Sequence, residues 1–498
     1  MRSTLRSLGC AAALIGALSG CTSLYFKEAG VPPSPLPRYT LQEWPYSEYW
    51  TGIIFNGEKV GYAHVQVVPS GSQRDAYEIR SQSVLHIRML GFDKRIALDS
   101  VDRVGEDLTL QWFAHRYDLD GSELRVEGAV QGNVLVGTVD NAGRKSGLTL
   151  RLDAPVYPAS AVTLVPVLRG LRIGAEHRYQ VFSGQTQSIA PVAQKVEAYE
   201  TSEFFEEHAY RVSSGFLGLT STAWLSDRGL PLLELGLGGV IISAISTEER
   251  AKRFIATTAL NKDEAIIGFS LVKPDMVIEN PRLLRRLAVS LSGNPTLAIV
   301  PSDARQECRE SGGMLSCEIK AAAKWPDAID PATLRRDLGD SLAVPTDDSR
   351  IRTLAREVAG QEADPDRQID ALLAWMRANI RKAPADTFSA LDVLRTRAAE
   401  CQGHAFLYAA LARSLGIPTR VVNGVVYSDE HAGFLYHAWN ESWVGDGWVS
   451  IDATLDQRPA DATHIKLVYG ESVADLVALA GWVGKMRIHV REQESGSP

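Results

Sequence analysis

The patterning of this chain changes once, near residue 346, and that change restricts the fold more than any other feature. Before it, short apolar runs recur between turn signals. Ile53–Phe55 leads into Asn56-Gly57, Val60–Val67 partly alternates, and Asp120-Gly121 precedes the alternating Leu124–Glu127. Alternation with a period of two belongs to strands with one buried face. After residue 346, stretches 350–359, 365–380 and 390–397 carry strong helix formers at helical spacing. The 498 residues suit about three domains. The reading is a multidomain α+β protein. A large antiparallel sheet or open barrel occupies 45–265, and a second β-rich module with a disulfide hairpin occupies 266–345. A mixed domain follows over 346–470, then a C-terminal extension over 471–498. No fixed-period repeat is evident.

One stretch imitates a membrane segment. Gly229–Ser246 has a single charge, Glu234. It also contains Pro231, Gly236, Gly238 and Gly239, which are too costly inside a helix. Buried strands around a Gly-rich turn are expected instead. A hydrophobic content of 45% with 22% charged residues excludes a disordered chain and a polytopic membrane protein. There are 52 Lys and Arg against 60 Asp and Glu. Without Arg2 and Arg6, which fall in the leader argued below, the balance is 50 − 60 = −10. Phosphate binding needs a cationic surface, so a general nucleic-acid binder is excluded.

Arg2 and Arg6 precede an apolar run from Leu8 to Leu18, then Leu18-Ser19-Gly20-Cys21. The run is too short to span a bilayer and suits the core of a signal peptide. Small residues before a Cys resemble a bacterial lipobox, which implies cleavage before Cys21 and a lipid on that residue. The bland alternative is an ordinary secretory signal followed by an incidental Cys. Residues 1–20 are then the leader, and 21–44 a lipidated Cys with a Pro-rich extended tether. Thr22 in place of Asp favours, by the same resemblance, an outer-membrane anchor facing the periplasm.

Cysteine arithmetic isolates one thiol. Cys10 leaves with the leader and Cys21 takes the lipid, so Cys308, Cys317 and Cys401 remain in a compartment where disulfides persist. Cys308 and Cys317 flank Gly312-Gly313, a strong hairpin turn. Counting outward from that turn places 308 opposite 317 as a non-hydrogen-bonded pair, with Cα atoms about 4.5 Å apart. That is within disulfide reach. Cys401 is the odd thiol, either reactive or intermolecularly paired.

Cys401 opens a stretch that reads as a helix to Leu415. Phe406, Leu407, Ala410, Leu411 and Leu415 form an apolar face, and Gly416 with Ile417-Pro418 ends it. A helix amino end favours a thiolate, but the dipole is worth only about 0.3–1 kcal/mol. One pKa unit is about 1.4 kcal/mol, so the dipole shifts the thiol by less than about one unit. A second cation is needed. His437 offers it, on an alternating strand from His437 to Trp443 that turns at Val444–Gly447 and returns through Trp448–Asp452. Asp452 comes back opposite or diagonal to His437, on the same face. A carboxylate there holds one imidazole nitrogen and leaves the other for the thiol, which is the logic of a triad.

Those residues carry a resemblance. Cys401-Gln-Gly-His-Ala405, Leu411–Pro418 with Arg420, His437-Ala-Trp439 and Gly447–Thr454 resemble, in order and spacing, the transglutaminase-like superfamily over roughly residues 345–470. The resemblance implies a papain-like α+β core, with Cys401 as nucleophile, His437 as base and acid, and Asp452 as orienter. It implies a thioester acyl-enzyme and needs no cofactor. Two positions depart from the family. Ala399 stands where Gly is frequent, and Glu400 adjoins the nucleophile, where a carboxylate aimed at the sulfur would raise its pKa. Glu400 facing solvent is the alternative.

Other residues have two readings. His404 is a substitute base, a metal ligand, or a groove-lining histidine. Trp439, Trp443 and Trp448 either line a cleft or pack the hairpin. His404, His431, His437 and His464 lack any paired metal motif, so no metal is expected. The leading expectation is a lipid-anchored periplasmic enzyme that attacks amide bonds of peptides or proteins, with water as acceptor. The alternative is a non-catalytic envelope binding or scaffold lipoprotein. Expected partners are a peptide or protein substrate, the membrane through the N-terminal lipid, envelope proteins, and no nucleic acid.

Overall fold

A computed structural model describes residues 26–495 apart from 34–38, 56–57, 72–75, 90–91, 120–121, 217–218, 237–240, 253–270, 294–299, 328–329, 384–386, 473–474, 476–478, 480–481 and 483–484. The leader, Cys21 and the Asp120-Gly121 turn lie outside the described residues. Among these residues no helix is long and apolar enough to cross a membrane.

The front half is one 16-stranded sheet. Strands Glu48–Phe55 through Arg144–Arg151 pair in sequence order, and so do Glu176–Ser183 through Ile241–Ser246. Ile241–Ser246 then pairs antiparallel with Glu48–Phe55, which joins the two runs. The sheet curls until its distant strands face each other. Phe113 meets Phe182 with ring centroids 4.5 Å apart, and Ile79 and Val104 share a core with Val181, Val192 and Val212. Gly229–Ser246 yields the strand pair Pro231–Gly236 and Ile241–Ser246, not a helix.

The proline-rich tether is a tether only in part. Phe26–Glu28 pairs antiparallel with Ser202–Glu200, and the Phe26 ring stacks on Trp224 at 4.2 Å. Leu41 and Trp44 are buried in the barrel core. Burying that aromatic at the sheet edge stabilises the pairing.

A four-stranded antiparallel sheet has the order Gln306–Ser311, Met314–Lys320, Leu284–Ser292, Arg487–Ser495. Its last strand comes from the 471–498 extension, so that segment belongs to the second module. Cys308 lies opposite Cys317, the two are joined by a disulfide, and their Cα atoms are 4.1 Å apart.

The third unit is a five-stranded antiparallel sheet, in the order Trp325–Pro326, Gly447–Ile451, Gly433–Val444, Thr419–Ser428, Ile465–Tyr469. Trp325–Pro326 is its edge, so the boundary drawn at 345 cuts too late. Helices Ser349–Ala359, Pro365–Asn379 and Ala390–Thr396 precede the Cys401–Ser414 helix. Asp348, Asp364 and Ser389 cap the first three by accepting a backbone N–H. The Cys401–Ser414 helix is buried throughout from Gly403 to Arg413. It is a central core helix, not one with a solvated face. Helices cover the sheet through Val421, Ala438 and Val449. The four-stranded module packs on it through Val425, Phe434 and Ile465. The barrel docks through Ser122 Oγ donating to Asp392 Oδ2 at 2.5 Å and Asn141 Nδ2 donating to the Leu342 carbonyl at 2.9 Å.

Candidate active site

Three local structures aim side chains at one point. The Ala390–Thr396 helix ends with Arg397 in a left-handed conformation, and a short extended link leads to Glu400 at the next N-cap. Cys401 is therefore the first residue of its helix and is partly exposed. Gly403 makes that helix start possible. A Cβ there would meet Ala399 Cβ at 2.7 Å and Val393 Cγ2 at 3.0 Å. The helix closes as its sequence dictates: Gly416 has φ +84°, and Ile417 N–H donates to the Ala412 carbonyl at 3.0 Å.

His437 lies on Gly433–Val444. The returning strand pairs Ile451 with Asn440, which puts Asp452 at the diagonal of His437. Asp452 then leaves the ladder and pairs with Gln457. His437 Nε2 meets Asp452 Oδ2 at 2.7 Å. That leaves Nδ1 free of Asp452, and the Cys401 thiol is near enough for each group to act on the other's charge. Asp452 is fully buried. Its Oδ1 accepts the backbone N–H groups of Thr454 at 2.8 Å and Leu455 at 2.9 Å.

The electrostatics follow from this geometry. Burial pushes the Cys401 thiol up. The His437 hydrogen bond and charge, with the Ala438 N–H, outweigh it, so the thiol lies below its ordinary value of 9.0. Burial pushes His437 down, but Asp452 first and Cys401 second raise it from 6.5 to about 10. Asp452 is held well below the carboxylate range by His437 and His464, against its burial. Glu400 is not among the main groups acting on the sulfur. The arrangement favours a thiolate–imidazolium pair.

The remaining candidates separate. His404 is buried, and its Nδ1 donates to the Glu400 carbonyl at 2.8 Å. Trp439 and Trp448 are core residues, and Trp448 packs edge-on against Trp443. His431 bonds Ser428 at the far end of the strand pair. His464, grouped in the sequence only with the histidines, instead reaches Asp452 Oδ2 at 3.1 Å. Asp461, on the other nitrogen of His464 at 3.1 Å, carried no sequence signal beyond its i, i+3 spacing. His437, Asp452 and His464 present ligand atoms within 4.8 Å of one another. A soft divalent ion could use such a set, yet hydrogen bonds to the Asp452 carboxylate already account for its closeness.

Sequence also gave no warning of the charges behind the sheet. Arg420 donates through Nε and Nη2 to one oxygen of buried Glu441, Oε2, at 2.8 and 2.6 Å. Lys466, fully buried, meets Asp303 at 2.5 Å and Glu441 at 3.1 Å. Asp303 comes from the four-stranded module's side, so this network locks that module to the sheet.

A helix that opens with cysteine and packs on an antiparallel sheet carrying the histidine defines a papain-like α+β domain. The domain is transglutaminase-like: residues 352–453 match the model of the Transglutaminase-like superfamily. A protein-glutamine gamma-glutamyltransferase of Pseudomonas aeruginosa is 32% identical over 157 residues, 28% of this chain and 23% of that protein. An uncharacterised protein of Mycobacterium leprae is 28% identical over 142 residues, 27% of this chain and 50% of that protein. The chain thus spans half or less of the curated relatives it matches. Among solved structures, the periplasmic domain of TgpA from Pseudomonas aeruginosa is 20% identical with a TM-score of 0.27, covering 38% of this chain and 88% of that one.

Proposed function

We propose that the transglutaminase-like domain is a thiol acyl-transfer enzyme with Cys401 as nucleophile, His437 as acid and base, and Asp452 as orienter. The observation that carries this reading is His437 held by buried Asp452 at 2.7 Å beside a cysteine that opens a helix and whose thiol pKa His437 lowers. The Cys401 thiolate attacks an amide carbonyl, and the C–N bond breaks as His437 gives its proton to the leaving nitrogen. The resulting thioester is resolved by water, whose proton His437 accepts, releasing a carboxylic acid and restoring the thiol. The Cys401 backbone N–H is a natural donor to the oxyanion. A relative named for protein-glutamine transfer favours a peptide or protein substrate. We assign the chain to the periplasmic face of the outer membrane, anchored by lipid on Cys21, on the strength of the leader pattern.

The test is alkylation of Cys401 at about pH 6, well below the ordinary thiol range. Fast labelling that His437→Ala abolishes supports the enzyme. Labelling no faster than in the denatured chain supports the scaffold alternative. Comparing envelope peptides and cross-links from cells carrying wild type or Cys401→Ala then identifies the substrate and distinguishes hydrolysis from cross-linking. Radiolabelled palmitate incorporation that Cys21→Ala removes tests the anchor.

A further inference from the structure

Asp452 does not serve His437 alone. Its Oδ2 accepts from two imidazoles, His437 Nε2 at 2.7 Å and His464 Nε2 at 3.1 Å. His464 is fully buried. Its ring stands edge-on to His437 and to Trp439, with centroids 5.9 and 5.1 Å away. Its second nitrogen, Nδ1, faces Asp461 Oδ1 at 3.1 Å. Asp461 Oδ1 also accepts the Thr463 backbone N–H at 2.9 Å and hydroxyl at 2.5 Å. Asp461 Oδ2 accepts Gln457 Nε2 at 2.9 Å and lies 3.7 Å from Arg282. The ring of His464 is therefore gripped at both ends by carboxylates that are themselves fixed. Ionised carboxylates only accept, so a ring nitrogen that carries a proton donates to the carboxylate it faces.

We propose that His464 is a positioning residue for the thiol site: it fixes Asp452 Oδ2 at the point from which that oxygen holds His437. This rests on the thiol-enzyme reading. Asp452 Oδ1 is pinned by two backbone N–H groups. Those two bonds share one oxygen and leave the carboxylate a pivot. With His437 alone on Oδ2, imidazole and carboxylate could swing together, and Nδ1 would drift from the sulfur. A fourth donor, arriving from a different segment, removes that motion. Hydrogen bonds to charged groups are roughly twice as strong as neutral ones, which makes this donor an effective clamp. The segment that supplies it, Asp461–His464, is anchored in turn by Arg305, whose guanidinium donates to the carbonyls of Asp461 at 2.9 Å and His464 at 3.1 Å. The second module therefore helps set the site without touching it.

The experiment follows iodoacetamide alkylation of Cys401 by mass spectrometry across pH, on the full chain, with melting temperature measured alongside. His464→Ala should lower the maximal rate on the order of ten-fold. It should also move the low-pH limb upward, because Asp452 loses a donor that favours its ionised form. His464→Gln, whose amide can still donate to Asp452, should recover most of the rate. An unchanged rate and limb in a folded His464→Ala, even with a lower melting temperature, overturns the proposal and leaves a packing role. Should His464→Ala not fold, Asp461→Asn is the decisive variant. It keeps an amide oxygen for Thr463 but removes the charge facing Nδ1, so the same limb must move, and failure to move overturns the proposal equally. A wild-type thiol that labels like the denatured chain overturns the thiol-enzyme reading and this proposal with it. A reactive wild type beside an indifferent His464→Ala overturns the positioning role alone.

Discussion

Replacing Asp452 by Asn changes one atom and should disable the thiol while leaving the fold intact. The asparagine oxygen keeps the Thr454 and Leu455 N–H groups, 2.8 and 2.9 Å from Oδ1 in the native site. Its amide nitrogen is thereby forced toward the two imidazoles. It donates to His437 Nε2, so the ring proton moves to Nδ1, the nitrogen that faces the sulfur. The ring then cannot take the thiol proton. The raised affinity of His437, about 10 against an ordinary 6.5, is lost with its chief cause. Burial leaves Cys401 at or above its ordinary 9.0. At neutral pH the thiolate fraction is then at most about 10⁻². Alkylation at neutral pH should fall about 100-fold in Asp452→Asn and gain about ten-fold per pH unit toward the thiol range, where wild type shows a plateau. The assay is the time course of Cys401 modification by mass spectrometry. A variant curve that superimposes on wild type would falsify the claim that Asp452 sets the state of the pair.

Three further outcomes follow from particular contacts. His437 lies above 6.5, so its pairing stabilises fully below that pH and is lost as pH rises toward about 10. Cys401 lies below 9.0, so its pairing stabilises fully above 9.0 and fades as pH falls. Between those values the folded thiolate–imidazolium pair and the unfolded pair each hold one proton, so the two effects cancel. Cys401→Ala should remove the cancellation, and urea unfolding should show stability falling by up to about 1.4 kcal/mol per pH unit above 6.5; an equally flat variant contradicts the pair. Gly403→Ala should lower stability by about 1–3 kcal/mol despite alanine's better helix propensity. The reason is that its methyl meets Ala399 Cβ at 2.7 Å, and a melting temperature at or above wild type refutes the crowding. Lys466→Met leaves Asp303 and Glu441 buried with less compensation. It should cost about 3–5 kcal/mol in urea unfolding, and a cost below about 1 kcal/mol means the network is not a lock.

What the sequence determined alone is what neighbouring residues encode. The ends of the Cys401–Ser414 helix follow from its spacing and from Gly416 with Pro418. The Gly445–Gly447 turn fixes the diagonal of His437 and Asp452, because a tight turn sets strand register and register sets which side chains share a face. Gly312-Gly313 set Cys308 opposite Cys317 in the same way. The tertiary structure decided what no period records. Cys401 meets His437 only because the helix packs on the sheet through Ala405, Phe406 and Ala438. Phe26 leaves the tether for the barrel, and Arg487–Ser495 crosses back to close the second module. His464 and Asp461 reach Asp452 through a loop with no repeating pattern. Side chains in such loops are placed by the burial of distant segments, and burial is a property of the assembled core, not of the local chain.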